Sequence, residues 1–152
     1  DIIKILVSNF LKKIEPYREY IQTKSIDTIM IIASIIEAET EIDIEMDTIA
    51  SVYYNRIKEN MPLQADPTIS YSTLRPMKSK DKEIQDPYNT YTKGLHLPPT
   101  PIGSPGLSAI EASISPAITD YKFMFSPIES NKHFFSKTHT EHKAIIKKYK
   151  QK

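Results

Sequence analysis

All three glycines and eight of the eleven prolines fall between residues 61 and 106, while the flanking stretches are nearly free of helix-breaking residues. Proline is excluded from helix interiors and central strands, so the middle of this chain is limited to short elements and turns. Longer regular elements must lie before residue 61 and after residue 106. A segment of this length with little structure of its own is unusual in a compact domain, and when ordered it commonly forms a binding loop or lid. Within it, residues 70–73 read equally as a strand or as a helical turn.

Upstream, residues 1–14 put Ile3, Leu6, Val7, Phe10 and Ile14 on one stripe with Lys4, Lys12 and Lys13 off it. This predicts a short amphipathic helix, stopped or restarted at Pro16. The stretch IDTIMIIASIIEAET, residues 26–40, follows Ser25, a suitable N-cap, and has Asp27 in its first turn. At about 100° per residue, Ile26, Ile29, Met30, Ala33 and Glu37 share one face. A carboxylate on an otherwise core-facing stripe is unusual, because an ionised Glu is seldom buried unpaired. Desolvation raises its pKa, a property of general acids. The same pattern also arises if the helix ends early and Glu37 lies in a frayed, wet last turn. Glu39, about 200° further round the helix, reads as a polar or capping group. After the polar run TEIDIE, a second helix over residues 44–60 aligns Ile49, Val52, Tyr53 and Ile57 or Arg56, with Asn55 near the edge of that face. The short connection predicts an αα-hairpin.

Downstream, residues 108–113 predict one or two helical turns ended by Pro116. YKFMF at 121–125 and residues 133–135 read as two strands of a hairpin around the turn-rich SPIESNK. Residues 138–150 read as a helix with basic residues near its C-terminus, where they complement the dipole. With 152 residues the chain suits one domain. Its 20 basic and 19 acidic residues nearly cancel, so no overall field argues for nucleic acid. The absence of cysteine excludes disulfides and thiolate chemistry and fits either redox compartment. No run approaches the roughly 20 apolar residues of a membrane span. The chain opens at Asp1 with no initiator Met, signal peptide or transit segment, and reads as an excised fragment. His133, His139 and His142 with Glu141 invite a metal, yet neither H-E-x-x-H nor H-x-x-E-H is present. No metal or other cofactor is expected, and His133 reads as a link between the last strand and the core.

Several stretches together resemble the MltG, or YceG-like, family of endolytic murein transglycosylases in its catalytic domain. They are ASIIEAET around Glu37, ASVYYNRI at 50–57, MPLQADPTISY at 61–71, DPYNTY at 86–91, LPPTPIGSPGLSAIEA at 97–112 and HFFSKTHTEH at 133–142. Their order and spacing match over about residues 29–142. One departure follows DPYNTY: the family reads GLPPG, whereas here His96 intervenes between Leu95 and Leu97, and Thr100 stands in place of the second glycine.

The resemblance implies a single α+β, lysozyme-like catalytic domain, helix-rich around the catalytic Glu, with a small antiparallel sheet and a long Pro/Gly-rich loop region. It implies a lyase that cuts peptidoglycan glycan strands internally between N-acetylmuramic acid and N-acetylglucosamine and leaves 1,6-anhydro-N-acetylmuramic acid ends. By motif position Glu37 is the acid and base. Such an enzyme acts at the outer face of the cytoplasmic membrane, held by an N-terminal anchor that this fragment lacks, with cell-wall synthases as further partners. Gln64, Asp66, Tyr71, Tyr88, Asn89 and Tyr91 form a mixture suited to stacking on sugar faces and bonding acetamido groups. Asp66 also reads as an Asx turn before Pro67, or as a second carboxylate activating water, which would make the enzyme a muramidase. A glycan-binding module without catalysis is a further alternative, as is a structural or partner-binding domain that uses the long loop as its interaction surface.

Overall fold

The computed structural model describes residues 1–152 except 24, 93, 95, 128, 129, 131, 151 and 152, and omits the side chains of Thr23 and Lys150. Helix α1 (Ile2–Ile14) runs into a 3₁₀ turn at Glu15–Tyr17, where Pro16 occupies a first-turn position that needs no N–H. The short α2 (Arg18–Thr23) follows. The stripe expected of α1 reaches the core only at its end: Phe10 and Ile14 pack inward, while Ile2, Ile3, Ile5, Leu6 and Val7 are exposed.

The centre of the fold is α3 (Ile26–Glu39), antiparallel to α4 (Asp43–Lys58) in the expected αα-hairpin. Ser25 stands at the N-cap of α3, although its side chain makes no capping bond. Seven residues of α3, Ile29 and Ile31 through Ile36, are buried. Helix α4 covers one side of it and α6 (Leu107–Ile114) another. Each buried isoleucine contributes roughly 1.5–3 kcal/mol. The helix is therefore buried almost all round and has no single inward face.

The middle of the chain holds more structure than its prolines suggest. Asp66–Thr73 forms α5, which opens on Asp66 and Pro67 and ends at Leu74 with φ 54°. Pro67 fits because φ in the first turn is already near proline's own. The ambiguity at residues 70–73 thus resolves as helix. A 3₁₀ turn at Ser79–Glu83 is fixed by Asp81, whose carboxylate takes two bonds from Arg75, at 2.6 and 2.9 Å, and one from the Lys78 N–H. Downstream, β1 (Phe123–Phe125) pairs antiparallel with β2 (Phe134–Ser136) in the register Phe123 to Ser136 and Phe125 to Phe134. Helix α7 (His139–Lys150) packs against this hairpin. The result is a helix-rich α+β domain with a small antiparallel sheet. Among the described residues no helix is long and apolar enough to cross a membrane.

Candidate active site

The last turn of α3 presents two carboxylates to different neighbours. Glu37 is exposed, and its Oε2 accepts the Gly106 N–H at 3.1 Å. Gly106 is the N-cap of α6, so Glu37 places a negative charge at a helix N-terminus, where it is favoured. A Cβ on Gly106 would stand 3.4 Å from Glu37 Oε2, an ordinary van der Waals contact. Of the two settings read for Glu37, a buried apolar one and a wet last turn, the fold provides the second. The side of α3 that looked inward turns outward at its last turn, toward the loop before α6.

Glu39 occupies the buried setting read for Glu37. Half-buried as a residue, it turns its carboxyl end inward, where Oε1 accepts the hydroxyl of Tyr53 at 2.6 Å. Burial pushes its pKa up from 4.5 to about 7. The negative charge of Asp66 adds to the rise, and the Tyr53 bond opposes it. Tyr53 itself is fully buried in α4, and burial beside Glu39 raises its hydroxyl well above the usual phenol value.

Two hollows meet at these groups. One, about 540 Å³, is lined by Glu39, Tyr53, Arg56, Gln64, Asp66 and Tyr91, with Met124, Phe125, His133 and His142 on the far wall. The other, about 470 Å³, runs past Glu39 and Asp66 to Pro67, Ser70, Tyr71 and Ile102. Glu39 and Asp66 thus line both.

Arg56 fastens the first hollow. Its Nε donates to the Lys122 carbonyl at 2.6 Å, and Nη1 donates to the carbonyls of Pro62 and Leu63 and to Gln64 Oε1 at 2.9 to 3.1 Å. Its guanidinium lies 5.3 Å from the Phe123 ring centroid, where the cation is attracted by the ring face. Gln64 is thereby held in a left-handed conformation, φ 53°, with its N–H on the Thr90 carbonyl.

The other residues singled out from sequence divide in two groups. Asp66 does not form an Asx turn; it begins α5, and its exposed carboxylate accepts the hydroxyl of Tyr91. That bond and burial raise the Tyr91 pKa, and Lys82 Nζ stands 4.6 Å over its ring. Tyr71 is exposed beside the second hollow, with the Tyr88 ring 4.9 Å away and tilted by 52°. Tyr88 and Thr100, the residue at the family's second glycine, share a hydrogen bond of 2.7 Å between their hydroxyls. Leu95, in the same departure, lies outside the described residues.

Asn89 does not fit the contact with glycan expected of it. It is 1 % exposed, its amide donates to the carbonyls of Lys82 and Ile84, and its oxygen accepts the Tyr91 N–H. It builds the loop that presents Tyr91. Asn55, also near the site in sequence terms, bonds the Thr119 and Tyr121 carbonyls instead. His133 pairs through Nδ1 with Glu45 at 3.0 Å and so ties β2 to α4. His142 stacks on Phe123, and burial lowers its pKa. Among the described residues, no three His, Asp or Glu side chains are grouped to hold a metal. Lys82 is a site residue that periodicity missed, and Glu39, Tyr53 and Arg56 were placed by it on their helices without a role in the chemistry. The repeated acid in EAET was the available signal for Glu39.

The profile of the YceG-like family matches residues 1–148. The chain is 37% identical over 154 residues to a protein of Bacillus subtilis named endolytic murein transglycosylase, covering 98% of this chain and 42% of that protein. A protein of the same name from Streptococcus pneumoniae strain D39 is 31% identical, with 93% and 27% covered. The structure superposes on the crystal structure of a yceG-like protein from Listeria monocytogenes with a TM-score of 0.83 at 38% identity, over 95% of this chain and 48% of that one. The chain spans less than half the length of these relatives. With six motifs in register, a family profile that matches nearly the whole chain and a superposition at this level, the chain belongs to the YceG-like family.

Proposed function

We propose that this chain is the catalytic part of an endolytic murein transglycosylase, with Glu39 rather than Glu37 as its acid and base. The observation that carries the reading is Glu39 itself, a carboxyl raised to about 7 at the junction of two hollows. An acid that must give and then retake a proton works best with a pKa near the working pH. A polymer cut internally needs room on both sides of the acid, and Glu39 has it. The names of the B. subtilis and S. pneumoniae relatives point the same way.

In the proposed reaction, Glu39 protonates the glycosidic oxygen between N-acetylmuramic acid and N-acetylglucosamine as the C1–O bond breaks. The 6-hydroxyl of the muramic acid attacks C1 and passes its proton to the Glu39 carboxylate, which restores the acid. No water is consumed, and the new end is a 1,6-anhydro sugar. Tyr71, Tyr91, Gln64 and Asp66 line the path on which sugar rings would stack and bond, with Tyr88 packed against Tyr71. This substrate lies outside the cytoplasmic membrane, where cell-wall synthases lay down the same strands.

Asp66 supports a second reading. Its carboxylate lies near enough to raise the Glu39 pKa, and a second carboxylate activating water would make the enzyme a muramidase. Mass spectrometry of fragments released from purified sacculi separates the two. Anhydro ends are expected; reducing ends, heavier by one water, would establish the hydrolase, and no release at all would leave a binding module.

A further inference from the structure

We propose that Tyr53 is the positioning residue of this site, fixing which oxygen of Glu39 faces the substrate and holding that carboxyl ready for both of its proton transfers. The inference rests on Glu39 being the acid and base.

The groups facing Glu39 come from three elements. From α4 come Tyr53 and Arg56, from α5 comes Asp66, and from the loop after Asn89 comes Tyr91. Arg56 lines the same hollow, but its Nε and Nη1 donate to the carbonyls of Lys122, Pro62 and Leu63 and to Gln64. Tyr91 gives its hydroxyl to Asp66. Asp66 brings a second negative charge. Among the described residues, that leaves Tyr53 as the donor to Glu39, at 2.6 Å, a length usual for a hydroxyl bonded to a charged carboxylate.

Two consequences follow from this geometry. Tyr53 holds Oε1, so the transferable proton belongs on Oε2, the oxygen left free. And because a donor to a carboxylate favours the charged form, Tyr53 counters the burial and the Asp66 charge that favour the neutral one. Without it, Glu39 would stay protonated over a wider pH range and be a weaker acid toward the glycosidic oxygen. Tyr53 is fully buried and does not need to touch glycan to act.

The test compares Tyr53→Phe with site-specific 3-fluorotyrosine at position 53, an isosteric change that strengthens the donor and guards against a folding defect in the Phe variant. The readouts are the pH profile on soluble uncrosslinked glycan strands and the ¹³C titration of the Glu39 carboxyl in labelled protein. In Tyr53→Phe, kcat should fall about tenfold to a hundredfold with KM unchanged. The basic limb and the carbon titration should both move up by about half a pH unit or more. Fluorotyrosine should move both down. If neither variant shifts the carbon titration, the proposal is overturned. A carbon titration that moves while the activity limb stays would uphold the link between Tyr53 and Glu39 and sink the assignment of Glu39 as the acid.

Discussion

Glu37 and Glu39 stand two residues apart on α3 and are held by different helices, Glu37 by the Gly106 amide at the start of α6 and Glu39 by the Tyr53 hydroxyl within α4. The first is wet and ties a loop; the second is enclosed. Glu39→Gln should therefore reduce release of soluble muropeptides from sacculi by at least about a thousandfold, the scale of losing a general acid, with the circular dichroism spectrum unchanged. Glu37→Gln keeps an acceptor for Gly106 and should stay within a few fold of the parent. The reverse ranking would return the chemistry to Glu37.

The pH dependence of the parent follows from the same carboxyl. Glu39 must start protonated, so kcat/KM should fall above pH about 7. For stability, the folded chain holds this proton to about 7 and an unperturbed Glu only to 4.5. The folded state binds more protons in that window, so stability declines as pH rises from 4.5 to about 7 and then levels off. Glu39→Gln removes the decline, and at pH 8 it should raise unfolding free energy by roughly 1–3 kcal/mol. Urea melts at pH 5 and pH 8 measure the difference.

Asp81 titrates with the opposite sign. The two bonds from Arg75, then the Lys78 N–H, hold its carboxyl down from 3.8 to about 2. Its contribution is complete above 3.8 and is lost as pH falls through about 2. Asp81→Asn should flatten the acid limb of the stability curve between those values and leave the neutral limb parallel to the parent, as thermal melts across the acid range would reveal.

Asn89 predicts a split between folding and binding. Asn89→Ala deletes two bonds to carbonyls and one from the Tyr91 N–H in a buried site. A loss of about 2–4 kcal/mol is expected, since Asn89 is itself buried and two carbonyls and one N–H lose their partner. Turnover should fall only to the extent that Tyr91 is displaced. An Asn89→Ala protein with parental stability and weakened glycan affinity would restore it as a contact residue.

The helices around the core were legible because apolar runs are separated by Pro16 and by the polar run TEIDIE, and the two strands because turn residues mark their ends. Three features were not, each for a physical reason. Helix α3 is buried on nearly every side, so a stripe chosen by periodicity could not decide between Glu37 and Glu39. Asn89 carries the residue type of a sugar ligand, but where an amide finds its partners is settled by tertiary structure. Helix α5 begins at Asp66 and Pro67, a start signal that the surrounding prolines hid. The tie made by His133 was itself readable, and only its partner Glu45, 88 residues away, lay beyond any local pattern.

Arg56 gives the cleft its mechanical character. One planar guanidinium belongs at once to α4, to the segment at Pro62–Gln64 and to the chain entering β1. Its span is set by covalent bonds, so the two walls it joins cannot part without breaking several buried hydrogen bonds together. Under the proposed function, a sugar chain entering here meets two walls tied together by one side chain.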